Sequence, residues 1–343
     1  MSEFNLSRRE FLMGSLAGAG FLLAGERVSS DAGLNDAQVK SITLKITYTT
    51  EFLRCPKDEE IDIWLPIPPS DMEQEITDLK IETKLPYRKP SKEYDQKQNK
   101  VFYIKTKNIN KGEKLTLRYT IKRTNIGTVE LKDEDPQQHL TPSEWEKWDN
   151  GITQYVDTTV GKVTEPAVIA RKLYDGIVER TTYMHKICTR GVSTLAFEEK
   201  SGRSDDFHAL YRSMLMYKGI PVKWQQGTIL PYPSEMKKSG RIEADCINAH
   251  SWLMFHAGGN RWVPVDLSEA KRRPDLKEFY FGNLVPNRIR MSTGRGLTLE
   301  PPQKEILNTF AYTNVEADGI PLIYGHNYKN FIQYEIVKME GQN

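Results

Sequence analysis

Residues 202–221 read GRSDDFHALYRSMLMYKGIP and have the pattern of one amphipathic helix with two defined ends. Apolar residues recur at the spacing of a single helix face: Phe207, Leu210, Tyr211, Met214 and Leu215. Ser204 is a favourable N-cap, and two aspartates follow it in the first turn, where the helix dipole favours negative charge. Gly219 and Pro221 mark the end. The pattern predicts a buried helix with Ser204 at its positive end, where the anion of an oxygen or sulfur nucleophile is stabilised.

Residues 246–266 read CINAHSWLMFHAGGNRWVPVD and predict a β-hairpin, because two β-rich runs flank a Gly-Gly-Asn turn. With the turn centred on Gly258 and Gly259, His250 lies opposite Asp266 or its neighbour Leu267. Facing Cβ atoms on antiparallel strands are roughly 4.5–5.5 Å apart, close enough for a carboxylate to orient an imidazole. We therefore predict a His250–Asp266 pair, which a register slip of one residue would separate.

A nucleophile position at a helix start, followed by His and then Asp on neighbouring strands, is the chain order of a papain-like acyl-transfer site. At these residues the sequence resembles the bacterial transglutaminase-like proteins, and matching motifs cover much of the chain. The motifs are Gly202-x-x-x-Asp206-Phe207-His208-x-Leu210, Gly219-Ile220-Pro221, His250-x-Trp252, Trp262-Val263-Pro264-Val265-Asp266-x-Ser268-Glu269-Ala270, Tyr280-Phe281-Gly282-Asn283-Leu284, Asn287-Arg288, Gly294-Arg295 and Leu299-x-Pro301. The resemblance implies a triad at Ser204, His250 and Asp266. It also implies an α+β fold of the transglutaminase-like or papain-like kind, in which a helix bearing the nucleophile position packs on an antiparallel sheet behind a small β-sandwich.

The sequence departs from the family pattern where the chemistry would occur. The family nucleophile is Cys, whereas position 204 is Ser; Ser251 and Gly296 stand where the family often has Cys and Asp. Ser204 alone is also an ordinary helix cap. Two functions remain open. One is a non-catalytic relative, a pseudoenzyme, that binds a peptide, amide or cell-envelope partner in the former cleft. The other is a peptidase-like or esterase-like hydrolase or acyltransferase that uses Ser204, His250 and Asp266.

Three further residues are candidates for the pocket wall. Asp206 and His208 lie one turn inside the predicted helix, and Trp252 follows His250 by two residues. Asp206 and His208 also have a purely structural interpretation, which we favour. No metal or organic cofactor is called for. Calcium stays open because some transglutaminases use it, although no calcium-ligand loop is visible in the sequence.

Three cysteines are present, Cys55, Cys188 and Cys246, and no pair has the Cys-x-x-Cys spacing of metal or thioredoxin-like sites. An oxidising compartment could pair two of them, and the sequence leaves the pairing open. The segment Ser7–Met13 reads SRREFLM, a twin-arginine export motif, and an apolar run continues to Gly25. We predict a signal peptide over residues 1–32 and a protein that is periplasmic or otherwise exported by the twin-arginine route. The run is shorter than the ~18 residues of a membrane anchor, so no span is expected after signal removal.

The 343 residues are enough for two domains and a leader. The net charge of +2, from 48 basic and 46 acidic residues, gives no global field for nucleic acid or an anionic membrane. We predict four segments after the leader: a β-sandwich over 38–125, a connector over 126–163, a transglutaminase-like domain over 164–320, and a closing strand or tail over 321–343. Within them we expect a helix start at Thr141, a helix within 164–183 and a loop over 184–200.

Overall fold

The computed structural model describes residues 35–86 and 99–341, so the predicted signal peptide lies outside the described residues. Before residue 125 the described residues form five strands, which are β1 (Val39–Phe52), β2 (Ile61–Ile67), β3 (Gln74–Thr83), β4 (Lys100–Thr106) and β5 (Lys114–Thr124). The middle of the chain forms β6 (Val129–Glu130), α1 (Asn150–Val160), α2 (Pro166–Arg180), β7 (Thr182–Tyr183), α3 (Ser193–Glu199), β8 (Ser201–Gly202) and α4 (Ser204–Tyr217). Next come β9 (Val222–Ile229), β10 (Ser239–Glu243), β11 (Ala249–His256), β12 (Arg261–Val265), α5 (Leu267–Arg272) and β13 (Arg288–Thr293). The last strands are β14 (Asn314–Ala317), β15 (Ile320–Pro321) and β16 (Tyr328–Gly341).

Two sheets form the sandwich, in the strand orders β10-β16-β1-β5-β3 and β15-β14-β2-β4. The two sheets pack together because each presents an apolar face. In β1 that face consists of alternating residues, all buried in one core: Ile42, Leu44, Ile46 and Tyr48. The strands predicted before residue 125 are present. Strands β10, β14, β15 and β16 also belong to these sheets, so the sandwich draws on residues well beyond 125. Strand β16 covers the predicted C-terminal strand but lies between β1 and β10, not at an edge.

The second unit is a sheet in the order β13-β9-β11-β12-β6 with helices packed against it. The fully buried core includes Tyr174 of α2 and Leu210 of α4. The helix predicted within 164–183 is present as α2. The helix start predicted at Thr141 is wrong, since the next α-helix begins at Asn150, where the Asp149 carboxylate accepts the N–H of Ile152 at 2.9 Å. The loop predicted over 184–200 contains the short helix α3.

Strand β13 joins the two units. It pairs with β9 in the second sheet, while Ile289 and Met291 are buried in the core of the sandwich. The arginines that alternate with them, Arg288 and Arg290, are also buried. No helix in the described ranges is long and apolar enough to cross a bilayer. The first half of β13 therefore places two buried positive charges where the two units meet.

Candidate functional site

Helix α4 begins one residue earlier than the sequence indicated. Its N-cap is Arg203, whose backbone N–H is accepted by the Asp206 carboxylate at 2.8 Å, so Ser204 is the first helical residue and the predicted Ser204 cap is wrong. The Ser204 hydroxyl instead accepts the backbone N–H of Ser251 on β11, at 3.4 Å. Ser204 is 1% exposed. This contact fixes the nucleophile position beside His250, the residue before Ser251.

His250 and Asp266 form the closest pair of the site. The Nε2 atom of His250 lies 2.7 Å from Oδ2 of Asp266, and both side chains are buried. Opposite residues on the hairpin are Leu253 and Val265, so Trp252 and not His250 faces position 266. The predicted opposition of His250 and Asp266 is thus wrong by two positions. Since residues two apart share a strand face, the two side chains still meet, diagonally.

Asp266 directly follows β12 and caps α5 by accepting the N–H of Glu269 at 3.0 Å. Its carboxylate also accepts from Ser268 Oγ at 2.9 Å and from Arg288 Nη1 at 2.8 Å. Burial alone would raise the pKa of Asp266. The charges of His250 and Arg288 and the hydrogen bond from His250 outweigh it and hold that pKa well below its ordinary range. Asp266 is therefore ionised at neutral pH, and His250 Nδ1 is the ring nitrogen left for another group.

His208 is fully buried beside the His250–Asp266 pair, with its Nε2 3.5 Å from Oδ1 of Asp266. Its Nε2 accepts the backbone N–H of Leu267 at 3.1 Å, and its Nδ1 lies 3.3 Å from Ser251 Oγ. Burial lowers the pKa of His208 to about 4, although the charge of Asp266 partly opposes the shift. The ring is neutral at pH 7. Because Nε2 accepts a hydrogen bond, Nδ1 carries the ring proton and donates a hydrogen bond to Ser251 Oγ. His208 thus links α4, β11 and α5.

Trp252 packs against His250 with ring centroids 6.1 Å apart and an interplanar angle of 25°. Two buried guanidiniums approach its ring, that of Arg288 at 5.1 Å and that of Arg123 at 5.9 Å. Arg123 comes from β5 of the sandwich and pairs with Glu73 at 3.0 Å. The sandwich therefore contributes a cation to the packing behind the site.

Arg203 was not singled out from the sequence, yet its side chain binds two loops next to the start of α4. Its guanidinium donates to the carbonyls of Ile187 at 2.6 Å, Cys246 at 2.5 Å and Ala249 at 3.3 Å, and to that of Ile247. Cys188 and Cys246 form a disulfide with Cα atoms 5.5 Å apart, and Cys55 is free. The pairing left open by the sequence thus joins the two loops that Arg203 binds. A guanidinium directly before the nucleophile position was the available signal.

Only two of the three predicted triad positions are joined by a hydrogen bond between their side chains. His250 and Asp266 form a hydrogen-bonded pair, whereas no hydrogen bond joins Ser204 to His250 in the part of the chain that the structure describes. Asp206 serves the first turn of α4, and burial raises its pKa. Across residues 35–86 and 99–341, no group of three or more His, Cys, Asp or Glu side chains is placed to hold a metal ion.

Comparison with known proteins gives one family and several structural likenesses, two of which are described below. The family model of the transglutaminase-like superfamily matches residues 153–267. A candidate cysteine protease from Cytophaga hutchinsonii shares 14% identity over 87% of this chain and 98% of its own, with a TM-score of 0.47. The periplasmic domain of TgpA from Pseudomonas aeruginosa, bound to ethylmercury, shares 12% identity over 70% of this chain and 94% of its own, with a TM-score of 0.33.

Neither likeness says what this chain does. No curated protein matches the chain. The helix–hairpin arrangement, the His250–Asp266 pair and the family match fall on the same residues. Residues 153–267 of this chain form a transglutaminase-like domain.

Proposed function

We propose that this is an exported protein whose transglutaminase-like domain binds a peptide, amide or cell-envelope partner and does not carry out acyl transfer. The proposal rests on the contacts and the burial of Ser204. Its hydroxyl accepts from Ser251 at 3.4 Å, has no hydrogen bond to His250 among the described residues, and is 1% exposed. A serine nucleophile needs a base within hydrogen-bond reach, because its proton must leave during attack. A thiol is held as thiolate beside an imidazolium, whereas a hydroxyl is not.

Export is supported by two independent features. The twin-arginine motif occupies Ser7–Met13. The Cys188–Cys246 disulfide fits an oxidising compartment, since such bonds are rare in the reducing cytosol. The net charge of +2 gives no reason to propose a nucleic-acid partner.

The second candidate function is a serine hydrolase or acyltransferase, and the His250–Asp266 pair favours it. In that reaction Ser204 Oγ attacks an ester or amide carbonyl while its proton passes to His250 Nδ1. Asp266 stays ionised and holds the Nε2–H of His250 at 2.7 Å. The N-terminus of α4 stabilises the oxyanion, and His250 then returns the proton to the leaving group.

Covalent labelling with a fluorophosphonate separates the two functions. The full chain is compared with Ser204→Ala and with Ser213→Ala, a matched control that removes another buried serine of the same helix. The proposal predicts no labelling of any of the three. Labelling that persists in Ser213→Ala and vanishes in Ser204→Ala would establish an activated serine and overturn the proposal.

A further inference from the structure

Two segments that the disulfide links lie against the start of α4. The β7–α3 loop (residues 184–192) carries Cys188, and the β10–β11 turn (residues 244–248) carries Cys246. Arg203 donates hydrogen bonds to a carbonyl in each of them. Since Ser204 directly follows Arg203, both segments lie next to the nucleophile position.

The β7–α3 loop contacts the chain on both sides of Ser204. Before it, the N–H of Met184 donates to the carbonyl of Gly202 at 2.7 Å. After it, Gly191 approaches the first turn of α4 so closely that a Cβ at this position would lie 2.6 Å from the carbonyl oxygen of Asp205. The loop therefore runs along the start of the helix, past the nucleophile position.

The site is closed in this arrangement. Ser204 is 1% exposed and His250 is 3% exposed, so a peptide cannot reach either side chain until part of the surrounding chain moves. Helix α4 and strand β11, which carry the two residues, supply fully buried side chains to the core of the second unit. No residue of the β7–α3 loop belongs to that core among the described residues. The loop is therefore the neighbouring part that can move without unfolding the domain.

Side chains, and not backbone pairing, hold the β7–α3 loop in place. Within the described ranges, no backbone N–H of residues 185–192 donates to a backbone carbonyl. Arg203 binds the carbonyl of Ile187, and Arg295 binds the next carbonyls along the loop. Segments with few backbone hydrogen bonds and few core contacts open at low free energy. The disulfide is the covalent link that keeps this loop against the β10–β11 turn, and Cys188 is exposed to reagents.

We infer that the β7–α3 loop is a lid over the Ser204 site, that the Cys188–Cys246 disulfide keeps it closed, and that a protein dithiol opens it by reducing this disulfide. One sulfur of the dithiol attacks the disulfide and forms a mixed disulfide, which the second sulfur then resolves. Two electrons and two protons pass from the dithiol to the pair, which becomes two thiols, while the dithiol becomes a disulfide. The inference rests on the proposed function for the partner that enters, and it makes that binding depend on redox state.

Carbethoxylation of His250 by diethyl pyrocarbonate at pH 7, followed over time by peptide mass spectrometry, tests the inference. The double variant Cys188→Ala/Cys246→Ala removes the disulfide without a reductant, which would consume the reagent. We expect His250 to react at least about tenfold faster in the double variant than in the wild type, because the loop then opens. Cys55→Ser is the matched control, since Cys55 lies outside the disulfide, and its His250 should react as in the wild type.

Two other histidines separate an open lid from an unfolded domain. His208 is fully buried in α4 and should stay unreactive in every protein, whereas His326 is exposed and should react at one rate in all of them. Equal rates at His250 in the wild type and the double variant would overturn the inference. A rise at His208 as large as that at His250 would overturn it too, because the whole domain would then be opening.

A second measurement replaces the double variant if that chain fails to fold. The native wild type is reduced with dithiothreitol, its thiols are blocked with N-ethylmaleimide, and both reagents are removed before carbethoxylation. Wild type treated with N-ethylmaleimide alone is the control. The same rise of at least about tenfold at His250 is expected, and an unchanged rate would reject the lid.

Failure of the lid and failure of the proposed function give different results. An unchanged His250 rate rejects the lid and leaves binding beside Ser204 as proposed. Fluorophosphonate labelling is repeated on the double variant, in which the lid no longer shields Ser204. Labelling of Ser204 there would reject the proposed function and leave the lid standing.

Discussion

Acid should destabilise this fold through His208, beginning as the pH falls below about 6.5. His208 is fully buried, and burial lowers its pKa from the ordinary 6.5 to about 4. The unfolded chain therefore binds a proton as the pH falls below 6.5, while the folded chain stays neutral at this residue until about pH 4. Since the unfolded state binds more protons in that window, the free energy of unfolding falls as the pH falls through it.

The magnitude follows from the size of the shift. Each unit of pKa difference corresponds to about 1.4 kcal/mol, so the complete effect is about 3 kcal/mol. Between about pH 7.5 and about pH 5, His208 should account for about 2 kcal/mol. The stability belongs to the neutral ring, which keeps its hydrogen bonds to Leu267 and Ser251.

Urea unfolding of the wild type and His208→Gln at these two pH values measures the effect. Glutamine is neutral throughout, so the variant should lose about 2 kcal/mol less than the wild type between the two conditions. His326→Gln is the matched control, because His326 is exposed, and it should lose as much as the wild type. The changes in the free energy of unfolding that come from all other titrating groups cancel when the variants are compared with the wild type. Equal losses in the wild type and His208→Gln would refute the assignment of a buried neutral His208.

Two stability predictions follow from the disulfide and from the buried ion pairs of Glu146. Replacing Cys188 and Cys246 by Ala opens a crosslink between residues 58 apart in sequence, and should cost about 4 kcal/mol in urea unfolding without preventing folding, whereas Cys55→Ser should change little. An unchanged midpoint in the double variant would contradict this. Glu146→Gln leaves the buried guanidiniums of Arg212 and Arg295 without their shared carboxylate, and should cost about 3–5 kcal/mol by the same assay; a loss below about 1 kcal/mol would show that the pairs are solvated.

Elements with local signals could be predicted from the sequence. The apolar period and the Gly219-Ile220-Pro221 end locate α4, and the glycines of the turn locate the hairpin. Pro221 does not set the end of α4 by itself. Gly219, at φ +71°, takes the left-handed conformation that glycine allows just after the helix. The helix end and the hairpin turn depend on residues that are close together in the chain. The types of those residues are therefore sufficient to predict both features.

The register of the hairpin needed more than residue types. The N–H of Ala257 bonds the carbonyl of Arg261 at 2.8 Å, so three residues form the turn, with Gly259 at its centre. The prediction assumed a turn centred between Gly258 and Gly259. Loop conformation decides between these alternatives, and both are open to a Gly-Gly-Asn sequence.

Contacts between distant residues could not be predicted. Arg288 meets Asp266 across 22 positions, and Arg203 meets carbonyls more than 40 positions away. Such pairs depend on how β13 and the disulfide-linked loops pack, which no local pattern encodes. The motif Asn287-Arg288 marked one of these residues without giving its partner.

On the proposed function, His250 and Asp266 keep the arrangement of an acyl-transfer site, and only a competent nucleophile is missing. The most direct test is the pH dependence of iodoacetamide alkylation of Ser204→Cys in a Cys55→Ser background, with the label located by peptide mass spectrometry. We expect a thiolate near His250 with a pKa at least about 2 units below the ordinary ~8.5, and loss of that shift when His250→Ala is added. An ordinary or raised pKa, or a shift that survives without His250, would contradict it.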